Sequence, residues 1–358
     1  MRVLMLVNGL GLGNATRCHA ICEELARGGD AVTVATSGNG AWYLDGRSGI
    51  EAIHPLVALR YGSSGGRLSV VRTLLGVGGM LRAAWDNERR IQALIESSRP
   101  DVAVVDSVYH LVALKRAGVP IVAVNNADVV HMAWQRFTDR PSSVRAQFHV
   151  VEENDYRFHR WMVDAAISPV LDPSLPQAGP PFVRVPPIVR AAVRPSPREG
   201  APTRVLVMLS GSVFGSPVRL DAAPPGVEVD VVGRDGDGNI PGVRFHGKVR
   251  DAVPFMEAAD LAVINGGFSA VSEAWVMRRP MIVVPVANHA EQWINARTVA
   301  DAGVGMIGDE RELSRDIGVG LARLDAWRAA YARLGEPGDG AAAAAAVIRE
   351  VAGRRQVR

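Results

Sequence analysis

The sequence predicts an α/β protein of two doubly wound domains, and three observations carry that prediction. Short β-branched runs alternate with longer amphipathic segments along most of the 358 residues, the pattern of strands and helices in a mostly parallel sheet. A proline-rich stretch from Ser168 to Thr203 interrupts the alternation once, after which it resumes. The length suits two domains of ordinary size, each with its own core. The expected division is a first domain over 1–167, a connection over 168–203, a second domain over 204–340 and a C-terminal helix over 341–358. Two such domains facing across a cleft would hold a ligand at the carboxyl ends of their strands.

In the first half the expected strands are Arg2–Val7, Ala31–Thr36, Asp101–Asp106 and Pro120–Asn125. Runs such as Asp101–Asp106 (DVAVVD) are apolar throughout, as strands covered on both faces must be. Between the first two strands, Ala15–Arg27 has helical spacing, with Ile21, Leu25, Cys18 and Cys22 on one face. The proline-rich stretch has no sustained period and reads as a connection. Beyond it come strands at Arg204–Leu209, Val227–Gly233, Asp260–Asn265 and Met281–Pro285, and then an alanine-rich helix.

Composition excludes several classes. The chain is 48% hydrophobic and 22% charged, with a formal charge of +3. No dense basic stripe interleaved with aromatics is present, so nucleic acid is not the expected partner. Lys115 and Lys248 are the only lysines. Two cysteines make no disulfide framework, and buried thiols in a reducing compartment are the simpler reading. The start, MRVLMLVNGLGLG, lacks the apolar core and cleavage site of a signal peptide. No run approaches the roughly 20 apolar residues of a membrane span. A soluble cytoplasmic protein is expected.

Four constellations carry chemistry. A glycine-rich turn follows the first strand, with Gly11, Gly13, Asn14 and Arg17 at the start of the helix; glycines let a backbone approach a ligand closely, and a helix N-terminus suits an anion. A plain tight turn explains it equally well. The acidic residue that a dinucleotide fingerprint needs after the second strand is replaced by Ala35-Thr36-Ser37, which disfavours an oxidoreductase. Ser210, Gly211 and Ser212, after the first strand of the second domain, could offer N–H groups to a diphosphate. In the third, Asn265-Gly266-Gly267-Phe268-Ser269, glycines open a helix that carries Glu273; a carboxylate can accept from both hydroxyls of a ribose. Ser269 as a simple cap is the bland alternative. The fourth runs from Pro285 to Ala296 and brings Glu291 and Gln292 to a helix start, where sugar hydroxyls could bind.

With these residues in view, the second half resembles the GT-B glycosyltransferases, particularly glycosyltransferase family 28 and its MurG-type N-acetylglucosaminyltransferases. Gly266, Gly267, Ser269 and Glu273 match the family's glycine-pair, Ser/Thr and Glu pattern; Glu291, Gln292, Asn295 and Ala296 match its second motif. The opening GLGLGNATR is similar to the family's first loop. The resemblance implies a UDP-sugar donor, N-acetylglucosamine or a related hexose; the departure from the family pattern at Asn14, with the high-GC composition, favours a small-molecule or natural-product acceptor over a lipid-linked cell-wall one. It places the ribose on Glu273, the sugar on Glu291 and Gln292, and the diphosphate near Gly211, Ser212, Gly267 and Ser269. The base would lie around Gly247-Lys248-Val249-Arg250, and no metal or cofactor is implied.

The sequence departs from that pattern at Asn14, where related enzymes carry a histidine base. An amide accepts no proton at neutral pH. Asp106, His110, Asp128, His131 and His19 are the titratable candidates, with Asp106 and Asp128 foremost and Asn14 retained as a site residue. Otherwise the acceptor oxygen is acidic enough to need little base, or the donor phosphate assists. Arg17 could meet a phosphate or an acceptor carboxylate, or make a surface salt bridge. The basic Arg60–Arg67 segment and the apolar LLGVGGMLRAAW after it, with Arg82, could lie against a membrane or pack as an ordinary helix. A nucleotide-sugar 2-epimerase or hydrolase, and a non-catalytic binder of nucleotide sugars, are the alternative functions.

Overall fold

The computed structural model describes residues 1–58, 63–64, 67–68, 77–209, 218, 220–236 and 239–356. Ser210, Gly211, Ser212 and most of the Arg60–Arg67 segment lie outside them. The chain forms two compact units. The first comprises Met1–Gln135, Glu153–Arg190 and Gly338–Arg358; the second comprises Arg136–Glu152 and Ala191–Pro337.

The first unit is built on a parallel sheet of seven strands: β1 (Arg2–Val7), β2 (Ala31–Thr36), β3 (Ala52–Pro55), β6 (Val102–Asp106), β7 (Ile121–Val124), β8 (Ala165–Pro169) and β9 (Phe182–Val185). Two two-residue strands, β4 (Ser63–Ser64) and β5 (Arg67–Leu68), pair only with each other. The sheet order is β3-β2-β1-β6-β7-β8-β9. Its helices are α1 (Leu12–Arg27), α2 (Gly38–Leu44), α3 (Val77–Ser98), α4 (Val112–Arg116), α5 (Ala127–Arg136, whose last residue falls in the second unit), α7 (Glu153–Met162) and α13 (Gly340–Gln356). β6 and β7 are buried at every position, which is why their sequences show no polar alternation. One sheet face packs on α1 and α13 through Cys18, Ile21, Leu25, Ala344, Ala345 and Ile348. The other face packs around Ile91, Leu114 and Phe182.

The proline-rich stretch is more than a connection, since β9 lies within it. Its FVRV sequence pairs with β8 as an edge strand. The prolines that flank it, at 180–181 and 186–187, stand outside its paired residues, where the missing N–H costs no ladder bond. Arg184 points back into the unit and donates from Nε to Asp128 at 3.1 Å. The alanine-rich helix is present, and its small side chains let it approach α1 closely; Arg349 reaches the C-terminal carbonyls of α1 and Asp30.

The second unit has six parallel strands: β10 (Arg204–Met208), β11 (Glu228–Val232), β12 (Val243–Phe245), β13 (Leu261–Asn265), β14 (Met281–Val284) and β15 (Gly305–Ile307). Their order is β12-β11-β10-β13-β14-β15. Its helices are α6 (Ser142–Gln147), a π-helical turn (Phe148–Glu152), α8 (Val253–Ala258), α9 (Phe268–Val276), α10 (Ala290–Asp301), α11 (Leu313–Ala322) and α12 (Leu324–Arg333). At the amino ends of the strands, buried Asp260 accepts from Arg198, Arg328 and the N–H groups of Thr203 and Arg204. Burial opposes its charge, but these donors outweigh burial and hold its carboxyl below the usual range. Among the described residues, no helix is long and apolar enough to cross a membrane.

Candidate functional site

In an open parallel sheet the ligand crevice lies where successive connections diverge to opposite sides. In the second unit that point is between β10 and β13, because β11 and β12 lie to one side and β14 and β15 to the other. Gly211 and Ser212 follow β10, outside the described residues. β13 ends on Asn265 and the loop after it is Gly266-Gly267, whose two glycines do different work. Gly267 is the N-cap of α9, in an extended conformation, and offers no side-chain cap. A Cβ there would meet nothing within 4 Å. The first turn of α9 holds no acidic residue, so its dipole and N–H groups favour an anion.

Gly266, by contrast, is packed against protein. A Cβ on it would lie 2.5 Å from the Gln292 carbonyl oxygen and 2.8 Å from Gln292 Cβ. The missing side chain lets the β13 loop run against the first turn of α10. Asn295 Nδ2 donates to the Gly266 carbonyl at 2.9 Å, and Asn265 Nδ2 donates to the Val284 carbonyl at 2.9 Å. Two sequence motifs separated along the chain thereby become one surface. Glu273 is buried on α9, one turn beyond half-buried Ser269. Beside it, Ser272 is fully buried, with no hydrogen-bond partner for its hydroxyl among the described residues.

The loop from β14 into α10 is pinned from both sides. Asn288 adopts φ 63°, a left-handed conformation that asparagine tolerates. Gln292 Oε1 accepts the Val286 N–H at 2.9 Å, which draws its amide carbonyl back onto its own loop. Gln147 Oε1 accepts the N–H of Ala290, the first residue of α10, at 2.9 Å. Half-buried Glu291 stands in the first turn. Burial pushes the His289 imidazole pKa down, against the opposing pull of the Glu291 charge. On the other side of the crevice, Val249 is half-buried beyond β12, and the Gly233 N–H donates to the Gly247 carbonyl at 2.7 Å.

The first unit has its own divergence point between β1 and β6. Gly11 caps α1 without a side chain, and Gly13 and Asn14 stand in the first turn, where Asn14 is half-buried. Gly9 is glycine because a Cβ would collide with the Ser37 carbonyl. Arg17 and Asp106 are both buried and joined side by side, Nε to Oδ2 at 2.5 Å and Nη2 to Oδ1 at 2.6 Å. Cys18 Sγ and Ser107 Oγ donate to the same carboxylate at 3.3 and 3.2 Å. Arg17 is thus turned inward, not out to a surface partner. Burial, and then the Asp106 charge, push the Cys18 thiol pKa well up.

Asp128 is fully buried; Oδ2 accepts from Arg184, while Oδ1 has no hydrogen-bond partner among the described residues. One turn on, His131 stacks on Tyr156 at 4.1 Å, and Tyr156 stacks on Phe182 at 5.1 Å. Burial lowers the pKa of His131, half-buried His110 and buried His19. His19 lies 3.7 Å from Glu23. Gly266, Gly267, Ser269, Glu273, Glu291 and Gln292 are brought together in the second unit. Arg17 and Asp106 meet in the first, and Asn14 stands one turn before Arg17 on α1. Sequence reasoning missed Gln147, whose partner is 143 positions away, and Gly9, whose only signal was one more glycine in a glycine-rich turn.

The sequence matches the family described as "Glycosyl transferase family 1" over residues 1–324. It is similar to an uncharacterized glycosyltransferase of Methanosarcina acetivorans, 23% identical over 85% of this chain and 83% of that protein. A shorter match, to an uncharacterized glycosyltransferase of Methanopyrus kandleri, is 29% identical over 32% of this chain and 33% of the relative. A third, 38% identical over 18% of this chain and 19% of the relative, is to the UDP-N-acetylglucosamine--N-acetylmuramyl-(pentapeptide) pyrophosphoryl-undecaprenol N-acetylglucosamine transferase of Mycolicibacterium smegmatis. The resemblance to family 28 thus rests on a partial match. Among solved structures, a spinosyn forosaminyltransferase superposes with a TM-score of 0.63 at 16% identity, covering 100% of this chain and 98% of that one. A Streptomyces sp. SF2575 glycosyltransferase complexed with thymidine diphosphate gives 0.56 at 18%, covering 98% and 99%. These likenesses show the fold, which is GT-B: two Rossmann-like parallel sheets.

Proposed function

The chain belongs to glycosyl transferase family 1, and from that premise we propose that it transfers a hexose, N-acetylglucosamine or a relative, from a UDP-sugar to a small natural-product acceptor. The observation that carries the donor half is the divergence point between β10 and β13. There Gly267, a glycine N-cap with open space beside it, stands at the carboxyl end of β13, buried Glu273 follows on α9, and the first turn of α10, with Glu291 and Gln292, packs against Gly266. The N-terminus of α9 takes the diphosphate, Glu273 accepts from the ribose hydroxyls, and Glu291 meets the sugar. The glycine turn of the first unit receives the acceptor, and no divalent cation takes part.

The burial of Asp106 and Asp128 under arginine partners supports an acceptor oxygen that needs little base, or assistance from the departing phosphate. A thymidine-diphosphate-sugar donor is the second reading, favoured by the thymidine diphosphate bound to the Streptomyces neighbour. Acceptors of natural-product type are supported by the spinosyn neighbour.

Thermal stabilisation by UDP, UDP-N-acetylglucosamine, UDP-glucose, GDP and thymidine diphosphate tests the reading. A ligand at about 100 times its dissociation constant adds about 2.7 kcal/mol to stability. Uridine ligands should stabilise the wild type and lose that effect in Glu273→Ala. A response to thymidine diphosphate alone would select the second reading, and no response to any nucleotide would remove the donor site.

A further inference from the structure

The segment 136–152 leaves the first unit after Gln135 and belongs wholly to the second. It lies along α10, the helix that carries Glu291 and Gln292. Asp139 pairs with Arg297. Phe137 packs edge-on to Trp293 at 5.8 Å, with the Arg297 guanidinium 5.5 Å from its ring centre. At the helix start, Gln147 supplies the cap that the helix's own N-cap residue, His289, does not. The Gln147 amide has its direction chosen for it: Nε2 donates to Glu152 Oε1 at 2.6 Å. Glu152 Oε1 accepts that bond, so the amide nitrogen faces Glu152 and the oxygen is left for Ala290. Glu152 is itself buried, at the end of a π-helical turn, a distortion that recurs at functional sites.

We propose that Gln147, oriented by Glu152, is a positioning residue that sets which donor sugar the first turn of α10 accepts. This rests on the donor reading above. Ala290 precedes Glu291 directly, so a shift of the Ala290 N–H moves the carboxylate that meets the sugar. Gly267, Ser269, Glu273 and Val249, assigned to the nucleotide, lie on α9 and beyond β12, whereas Gln147 bonds to α10. The relay therefore acts on the sugar and spares the nucleotide. The Asp139 and Phe137 contacts keep the segment seated when the Gln147 side chain is changed.

Affinities for UDP and for a panel of UDP-hexoses are measured on wild type, Q147A, Q147E and Q147E/E152Q, together with kcat and KM for the preferred sugar. Q147E sets two carboxylates against each other. The double variant restores the relay with reversed roles, since the new carboxylate at position 147 then accepts both from Ala290 and from the new amide at position 152. We expect Q147A and Q147E to bind UDP as the wild type does. Their preference for the best UDP-hexose over the others should fall about tenfold or more, through KM, a loss of about 1.4 kcal/mol in discrimination, and Q147E/E152Q should recover it. Unchanged sugar preference with normal UDP binding in Q147A would overturn the relay and leave the donor site standing. Failure of the double variant to recover what Q147E loses would overturn the relay in the same way. Wild type that binds no UDP would overturn the donor reading, and the relay with it. Should Q147E not fold, Q147A decides the question alone.

Discussion

At Gly266 a single Cβ would sit 2.5 Å from the Gln292 carbonyl oxygen, and that oxygen is backbone. Neither partner can swing aside, because Asn295 holds the Gly266 carbonyl and Val286 holds the Gln292 amide. Gly266→Ala should therefore act as an overpacking change and destabilise by about 1–3 kcal/mol, read by urea titration. Gly267→Ala makes the contrast. Its φ of −64° and ψ of 130° suit any residue, and an added Cβ would meet nothing within 4 Å beyond its own chain neighbours, so stability should stay within about 0.5 kcal/mol. Nucleotide affinity should fall, because the added methyl fills space assigned to the diphosphate. If Gly267→Ala binds UDP as the wild type does, α9 is not the anion site. Asp106 and Arg17 make the same point about side chains: two residues with chemical promise are bound to each other so fully that they hold the glycine turn.

Among the elements, those with a strong local signal were legible. β1 and β2 fall where their apolar runs begin and end, as do β6, β13 and β14 to within a residue. Each is a buried central strand flanked by turn residues, and its sequence needs no partner to be read. β9 was not legible, because four residues between prolines carry no period; its pairing depends on β8, which the chain reaches only by folding. The candidate site divides the same way. Gly266, Gly267 and Glu273 lie within one strand-to-helix turn and were readable together, whereas Gln147 acts on α10 through tertiary contact alone. The alanines of α13 predict a helix, but nothing local places it in the first unit, against α1. Ile348→Ala tests that placement. The side chain is wholly buried against the first sheet, so its loss should cost about 2–5 kcal/mol. Ala346→Ser, on the exposed side of the same helix, should cost under about 0.5 kcal/mol. Equal effects from the two would mean that α13 does not cover that core.

Across the whole molecule, four histidines share one condition. Burial lowers the pKa of His19, His110 and His131 in the first unit and of His289 in the second. For His19 the surroundings compete: Glu23 and the Ser48 backbone favour the charged ring, and Arg47 and Arg190 oppose it, with the Tyr43 ring edge-on at 6.0 Å. In the unfolded chain each imidazole titrates near about 6.5. Between that value and the lower folded one, the unfolded state binds a proton that the folded state does not. Stability must then rise with pH in that window. It is fully present above about pH 6.5 and is lost as pH falls below it. Melting temperatures measured from about pH 8 to about pH 5 should be level down to about 7 and fall below about 6.5. Replacing His19 by Gln should make the fall shallower. The depressed Asp260 carboxyl does not confuse the result. Its contribution is present above its unfolded pKa, about 3.9, and is lost only on acidification below that. A melting temperature that stays level from about pH 7.5 to about 5.5 would mean that these rings take up protons as readily in the folded chain as in the unfolded one.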